Sequence, residues 1–257
     1  MILLSFDIEE FDMPLEYERK IEFNDQMCIS IQGTIAILDL LKKHQIKATF
    51  FSTATFAINA PKVMERIVNE GHEVASHSYY HSDFKLEHLL ESKLKLEELT
   101  GQKIIGFRMP RMHPVDEKEV FKAGYLYNSS INPTFLPGRY NNFNKPRTYF
   151  RQDGVMQIPA SVTPIVRFPL FWLSFHNLPL FFYKWLLSIT LKKDKYLNIY
   201  FHPWEFTELK NKDKFNFPSY VSKNSGSNMI IRLDDLFLWA KTKKYNFITF
   251  KDFIKII

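Results

Sequence analysis

The chain has 257 residues, 46% of them hydrophobic, which suffices for one large α/β domain with a full core. Its 34 Lys and Arg against 28 Asp and Glu leave a net charge of +6, scattered along the chain, which falls short of a nucleic-acid signature. Cys28 is the only cysteine, so an intrachain disulfide and a thiolate metal cluster are both excluded.

In chain order, residues 2–6 read as a strand that runs into SFDIEEFD, with Asp7 and Glu9. Apolar residues at Ile35, Ile37, Leu38, Leu40 and Leu41 predict a helix over 31–43. A strand at 48–52 follows, then a helix over 61–70 with Pro61 at its first position and Gly71 closing it. A short strand at 73–75 leads into GHEVASHSYYH, with His77 and His81. A helix over 85–99 and a strand at 104–107 lead into FRMP, with Arg108 and Pro110. Next come a helix around 116–123, ended by Gly124, and a strand at 125–127. Residues 135–152, rich in Pro, Asn, Gly and Arg, read as a long loop, a common location for substrate contacts. Strands at 155–158 and 197–201 flank an insertion, and the second leads into YFHPWE, with His202. A helix at 232–241, a strand at 247–249 and a helix at 251–256 finish the chain. This alternation predicts a mainly parallel sheet covered by helices, in a single domain over 1–257 without repeat or linker.

The insertion near 165–190 is rich in aromatic residues, and its segment 168–183 has no Asp, Glu, Lys or Arg. Pro169, His176, Asn177 and Pro179 interrupt it, so a bilayer-spanning helix is rejected. It is expected either to be buried as a barrel cap or to form an interfacial patch. The patch would touch a membrane or a lipid-linked substrate over 168–187, with Lys184, Lys192 and Lys193 on the anionic side. The start, MILLSFDIEE, lacks a basic n-region and a cleavage site, so the expected location is cytoplasmic, with association at the cytoplasmic face of a membrane.

Four short runs carry groups that hydrolysis needs, and each follows a strand. In a parallel α/β barrel, strand C-terminal ends gather distant residues into one cleft. His77 and His81 are four apart, one helical turn, and Asp7 and Glu9 are two apart on a strand, hence on one face. Two imidazoles and one carboxylate form a facial set for a divalent metal. Glu9 is assigned to the metal and Asp7 to the base, with Glu10 the competing ligand if the strand bulges. His202 is positioned to protonate a leaving amine. Arg108 could hold Asp7 ionised, with Arg111 as the nearby alternative. His44, His72, His88, His113 and His176 lack such company and read as structural or solvent-facing.

Together SFDIEE, KATFF, GHEVASHSYYH, GFRMP, GYLYNSS and FHPWEF resemble the ordered motifs of the polysaccharide deacetylases of carbohydrate esterase family 4, the NodB-homology fold. FDIEE and FHPWEF look most like the branch associated with exosortase and capsule loci. The resemblance implies a distorted (β/α) barrel of about seven parallel strands and metal-dependent removal of N-acetyl groups from hexosamines. By motif, Asp7 matches the base, Glu9, His77 and His81 the metal triad, Arg108 the arginine orienting the base, and His202 the general acid. Pro110, Asn128 and Trp204 are expected at the substrate. The metal would be Zn²⁺ first, with Fe²⁺, Co²⁺ or Ni²⁺ also suited. An N-acetylated saccharide or a lipid-linked glycan would be the substrate. Asn128 stands where the family usually has an aspartate that charges the acid histidine. Two other classes therefore stay open: a carbohydrate-binding relative that lost turnover, and a C–N hydrolase of a small amide such as an allantoin-like compound.

Overall fold

A computed structural model of the chain describes residues 1–137 and 140–257. The strands, in chain order, are β1 (Ile2–Ile8), β2 (Thr49–Ser52), β3 (Glu73–Ser76), β4 (Gly106–Phe107), β5 (Tyr127–Asn128), β6 (Phe135–Leu136), β7 (Tyr140–Asn141), β8 (Phe150–Gln152), β9 (Val155–Gln157), β10 (Leu197–Phe201) and β11 (Phe247–Ile248). The main sheet runs β10-β1-β2-β3-β4-β5-β9-β8, with β11 also paired to β1. From β10 to β9 every pair is parallel, and only β8 turns antiparallel, against β9. The sheet curls into a half-barrel backed by helices. No strand pair among the described residues closes it. Instead Ser161 N–H donates to the Asn198 carbonyl at 2.9 Å, and the Asn198 amide donates to the Ile158 and Pro159 carbonyls.

Alternation along β1 sets what faces where. Ile2, Leu4, Phe6 and Ile8 point outward into the larger core beneath the helices. Leu3 points inward, into a second core shared with Phe51, Ala75, Tyr127 and Met156, and closed off by Phe250 and Phe253 of the last helix. By the same alternation Ser5 and Asp7 line the barrel interior above Leu3.

The expected strands and helices recur with shifted ends. The first long helix spans Phe23–His44, eight residues earlier than its apolar pattern, because its first turns are partly exposed. An unforeseen helix, Ala54–Asn59, starts with the Thr53 side chain accepting from the Phe56 N–H. The loop expected at 135–152 holds the β6–β7 hairpin and strand β8, and its part at 138–139 lies outside the described residues. The aromatic-rich insertion folds into helices Trp172–Asn177 and Leu180–Asp194. Among the described residues no helix is long and apolar enough to cross a membrane.

Candidate functional site

Four strand ends meet here. Glu9 lies one residue beyond β1, and His77, Arg108 and His202 directly follow β3, β4 and β10. The pairings Ile8↔Ser52, Ser52↔Ser76 and Ser76↔Phe107 bring the ends of β1 to β4 to one level, so the groups that follow share one rim.

Glu9, His77 and His81 each offer a ligand atom, and these atoms lie within 4.8 Å of one another. Glu9 Oε2 is 3.0 Å from His77 Nε2 and 3.1 Å from His81 Nε2. Each ring's other nitrogen is engaged: His77 Nδ1 donates to the Arg108 carbonyl and His81 Nδ1 to Asp12 Oδ1, both at 2.8 Å. That fixes the tautomer in which both Nε2 lone pairs face Glu9. Glu9 Oε2 is buried and, by hydrogen-bond geometry, has no partner. Three electron-rich atoms converging away from water need a cation between them, so this set fits a divalent metal. Burial would raise the Glu9 carboxyl, but the charge of His81 and the contact with His77 outweigh it and hold the group low. Burial likewise opposes His81, yet Glu9 and Asp12 push it up to about 9, so a cation bound here would displace a proton from Nε2 to reach the lone pair.

The spacing of the histidines is realised differently from a helical turn. Residues 77–81 form a loop in which Ser78 takes a left-handed φ of 70°. The Ser78 and Tyr79 carbonyls accept from the N–H groups of Ala54 and Thr55, at 3.1 and 3.0 Å. This ties the loop to the start of the unforeseen helix and stacks the two imidazoles 5.8 Å apart. Glu10 turns away from the rings: its Oε2 accepts from Thr53 Oγ1 at 2.6 Å, and burial pushes its carboxyl up.

Asp7 and Arg108 form a buried pair, with Arg108 Nη1 donating to Asp7 Oδ1 at 2.5 Å. The rest of the guanidinium is satisfied by Ser5 Oγ and by the carbonyl and hydroxyl of Ser129, and it lies 4.0 Å from the Phe51 ring centroid. Asp7 Oδ2 is left toward the cleft, 3.9 Å from His202 Nε2. Arg111, by contrast, pairs with Asp12 and Glu16. His202 packs against Trp204, its ring stacked at 5.0 Å, and against Trp172 edge-on at 5.6 Å. Its Nδ1 donates to Glu205 Oε1 at 3.0 Å, and Glu205 Oε2 accepts from His176 Nε2 at 3.1 Å. Burial opposes both shifts, but mutual hydrogen bonding and charge raise His202 and lower Glu205.

These groups open into a cleft of about 260 Å³, walled by Tyr140 and Leu136 of the hairpin and by Phe171, Trp172 and Leu173 of the insertion. Trp204, one of the three residues expected at the substrate, lines it. Two other expected substrate contacts do not. Pro110 is buried behind its neighbours Met109 and Arg111, which take the lining positions. Asn128 is fully buried: its amide donates to Glu117 Oε1 at 2.9 Å and its carbonyl accepts from Ser130 Oγ, so it faces an internal polar cluster. Three participants were missed: Asp12, Glu205 and His176. The H-x-x-E spacing in HPWE was a visible signal for Glu205, because an acid at the third helical position reaches back to the cap residue. For His176, 26 residues before His202 in chain order, no local signal exists.

Residues 20–120 match the family model described as Polysaccharide deacetylase. That segment is similar to the polysaccharide deacetylases. It supplies His77, His81 and Arg108, while the flanking chain supplies Asp7, Glu9 and His202. An uncharacterized 30.6 kDa protein of Geobacillus stearothermophilus is 42% identical over 86 residues, 30% of this chain and 32% of that one. The chitooligosaccharide deacetylase of Bradyrhizobium sp. (strain ANU 289) is 37% identical over 78 residues, 30% of this chain and 35% of that one. The matched stretch thus spans about a third of either relative. The crystal structure of Puue allantoinase superposes with a TM-score of 0.63 at 19% identity, over 98% of this chain and 87% of that one, a likeness of fold. The half-barrel fold is thus shared with this solved structure, and the likeness to polysaccharide deacetylases covers residues 20–120.

Proposed function

We propose that the chain is a metal-dependent N-deacetylase that hydrolyses the acetamide of an N-acetylhexosamine-containing saccharide. One observation carries the reading: Glu9, His77 and His81 converge on one point beside an Arg108-held carboxylate and a carboxylate-backed histidine. A divalent cation bound by the first three, Zn²⁺ foremost, would supply Lewis acidity. The chain's own groups do the rest. Arg108 engages Oδ1 of Asp7 and leaves Oδ2 to take a proton from the attacking water. His202 Nε2, facing the cleft, delivers a proton to the amide nitrogen as the carbon–nitrogen bond breaks, giving acetate and a free amine. Trp204, Trp172 and Tyr140 supply aromatic faces suited to the apolar side of a sugar ring.

The name of the Bradyrhizobium relative supports a saccharide. The reading as a binding relative without turnover loses its main support, because His202 has a carboxylate partner in Glu205 despite Asn128. The likeness to Puue allantoinase keeps a small-amide substrate as the second reading. Acetate release from N-acetylated oligosaccharides and glycolipids, with allantoin in parallel and with and without chelator, decides. The proposal expects chelator-sensitive acetate from a saccharide. Turnover of allantoin alone, or of nothing with any metal, overturns it.

The substrate is further proposed to be lipid-linked, taken at the cytoplasmic face of a membrane. The wall residues Phe171 and Trp172 continue in sequence into helix Leu180–Asp194, where Phe181 (77% exposed), Trp185 (53%) and Ile189 form an i, i+4, i+8 stripe. That helix precedes β10 and so leads from the rim that carries His202 back to the strand's start. Lys192 and Lys193 near its end suit anionic headgroups.

A further inference from the structure

We infer that Glu205 and His176 are positioning residues that set the charge and orientation of the proposed acid His202, taking the part that an acid at position 128 would otherwise play. The inference rests on the proposed deacetylation, but its physical content can be read without it.

Three observations carry it. First, Glu205 is fully buried and both its oxygens are engaged at this site. Oε1 accepts from the backbone N–H of His202 at 2.6 Å and from its Nδ1 at 3.0 Å, while Oε2 accepts from His176 Nε2 at 3.1 Å. The carboxylate thus grips the backbone and the ring of one residue at once, which leaves the imidazole a single orientation, Nε2 toward Asp7 and the cleft. Second, Pro203 and the turn Pro203–Phe206 hold Glu205 three residues from His202, so the pair is built into one rigid turn. Third, His176 comes from the inserted segment, beside Trp172, whose ring meets both His176 and His202 edge-on. Without it, Oε2 would be a buried carboxylate oxygen with no donor, a costly arrangement.

The alternative at position 128 is ruled out by placement. Asn128 spends its amide on Glu117 and its carbonyl on Ser130, so it neither touches nor faces His202. Asp7 and Glu9 add negative charge on the cleft side, but a substrate entering that side meets Nε2, while Glu205 stays behind Nδ1 throughout.

The test is a ring titration of His202 by nitrogen-detected NMR on histidine-labelled protein, in the wild type and in Glu205→Gln and His176→Gln. Thermal melts verify that each variant is folded. The wild-type ring should titrate above 6.5 with the proton on Nδ1 in the neutral form. Glu205→Gln should lower that midpoint by about 1 pH unit or more, and His176→Gln should move it less, in either direction, while freeing the ring to reorient. If deacetylation is measurable, the high-pH limb of kcat/KM shifts down in Glu205→Gln with KM little changed, and Asn128→Asp brings no gain. A His202 midpoint unmoved by Glu205→Gln overturns the inference, as does a tenfold gain from Asn128→Asp. If the wild type releases no acetate while the titration behaves as stated, the functional reading fails and the Glu205 pairing stands. Should Glu205→Gln not fold, Glu205→Asp, which retracts the carboxylate, is expected to weaken the Nδ1 hydrogen bond and lower the midpoint; an unchanged midpoint overturns the inference there too.

Discussion

Asp12 approaches His81 from the side opposite Glu9. Its Oδ1 accepts from Nδ1, while Ser82 and Arg111 hold the carboxylate in place. Burial opposes ionisation, but His81, Ser82 and Arg111 together bring Asp12 down to about 2, so it is an anion at any working pH. An anion behind a ligating imidazole raises its basicity and fixes its ring, and losing it typically costs 10–100-fold in metal affinity. Asp12→Asn should therefore weaken zinc binding by about 10-fold or more in competition titrations while leaving the melting temperature nearly intact. Unchanged affinity would remove Asp12 from the site. At this scale much of the site was legible: Asp7, Glu9, His77, His81, Arg108 and His202 all follow or end strands, and a strand end is readable from an apolar run followed by polar residues. Asn128 was not, because it takes the face of β5 opposite the inward-pointing Tyr127 and so turns toward Glu117 instead of the cleft. Whether a residue on a two-residue strand faces in or out depends on barrel curvature, and a single sequence does not encode that locally.

Among elements, the turn carrying His202 depends on the helix beneath it. Gly33 of Phe23–His44 lies so close to the turn that an added Cβ would fall 1.9 Å from the Pro203 carbonyl oxygen. Both neighbours are backbone, so an alanine there must push helix and turn apart. Gly33→Ala should cost about 1–3 kcal/mol and lower the melting temperature by several degrees, with a larger loss of turnover than of zinc binding, since the proposed metal ligands sit on other strand ends. Equal zinc affinity together with full activity would contradict that coupling. The helix itself was foreseen from its apolar spacing, though only from residue 31 on. Its earlier turns bury little, and periodicity is a signal of burial. The loop 77–81 was read as a helical turn because four-residue spacing is shared by both. What decides is hydrogen bonding to the helix Ala54–Asn59, a contact between segments over twenty residues apart.

On the scale of the whole molecule, the parallel order was readable from the regular strand–helix alternation. The seven parallel strands of the main path (β10, β1, β2, β3, β4, β5 and β9), with β11 paired parallel to β1 as an eighth, come close to the expected number of about seven. The Asn198 stitch across the gap was not readable, because side-chain bridges leave little local trace. The antiparallel edge β8 was missed although Asp153 and Gly154, with φ of 47° and 86°, form a two-residue hairpin turn with a sequence signal of its own. The exposed stripe on Leu180–Asp194 is the molecule's other large feature. If it lies on a bilayer, the protein should sediment with vesicles containing anionic lipid and less with neutral ones, and high salt should release it. Replacing Phe181 and Trp185 together by Ser should abolish sedimentation while leaving hydrolysis of a short soluble substrate unchanged. Sedimentation unaffected by that double change would refute the surface.

The most direct measurement for the whole account is an anomalous diffraction map of crystals grown with Zn²⁺. The account predicts one strong peak about 2.0–2.2 Å from the Glu9 carboxylate, His77 Nε2 and His81 Nε2. Zinc bound elsewhere, with these three side chains contacting only one another, would contradict it.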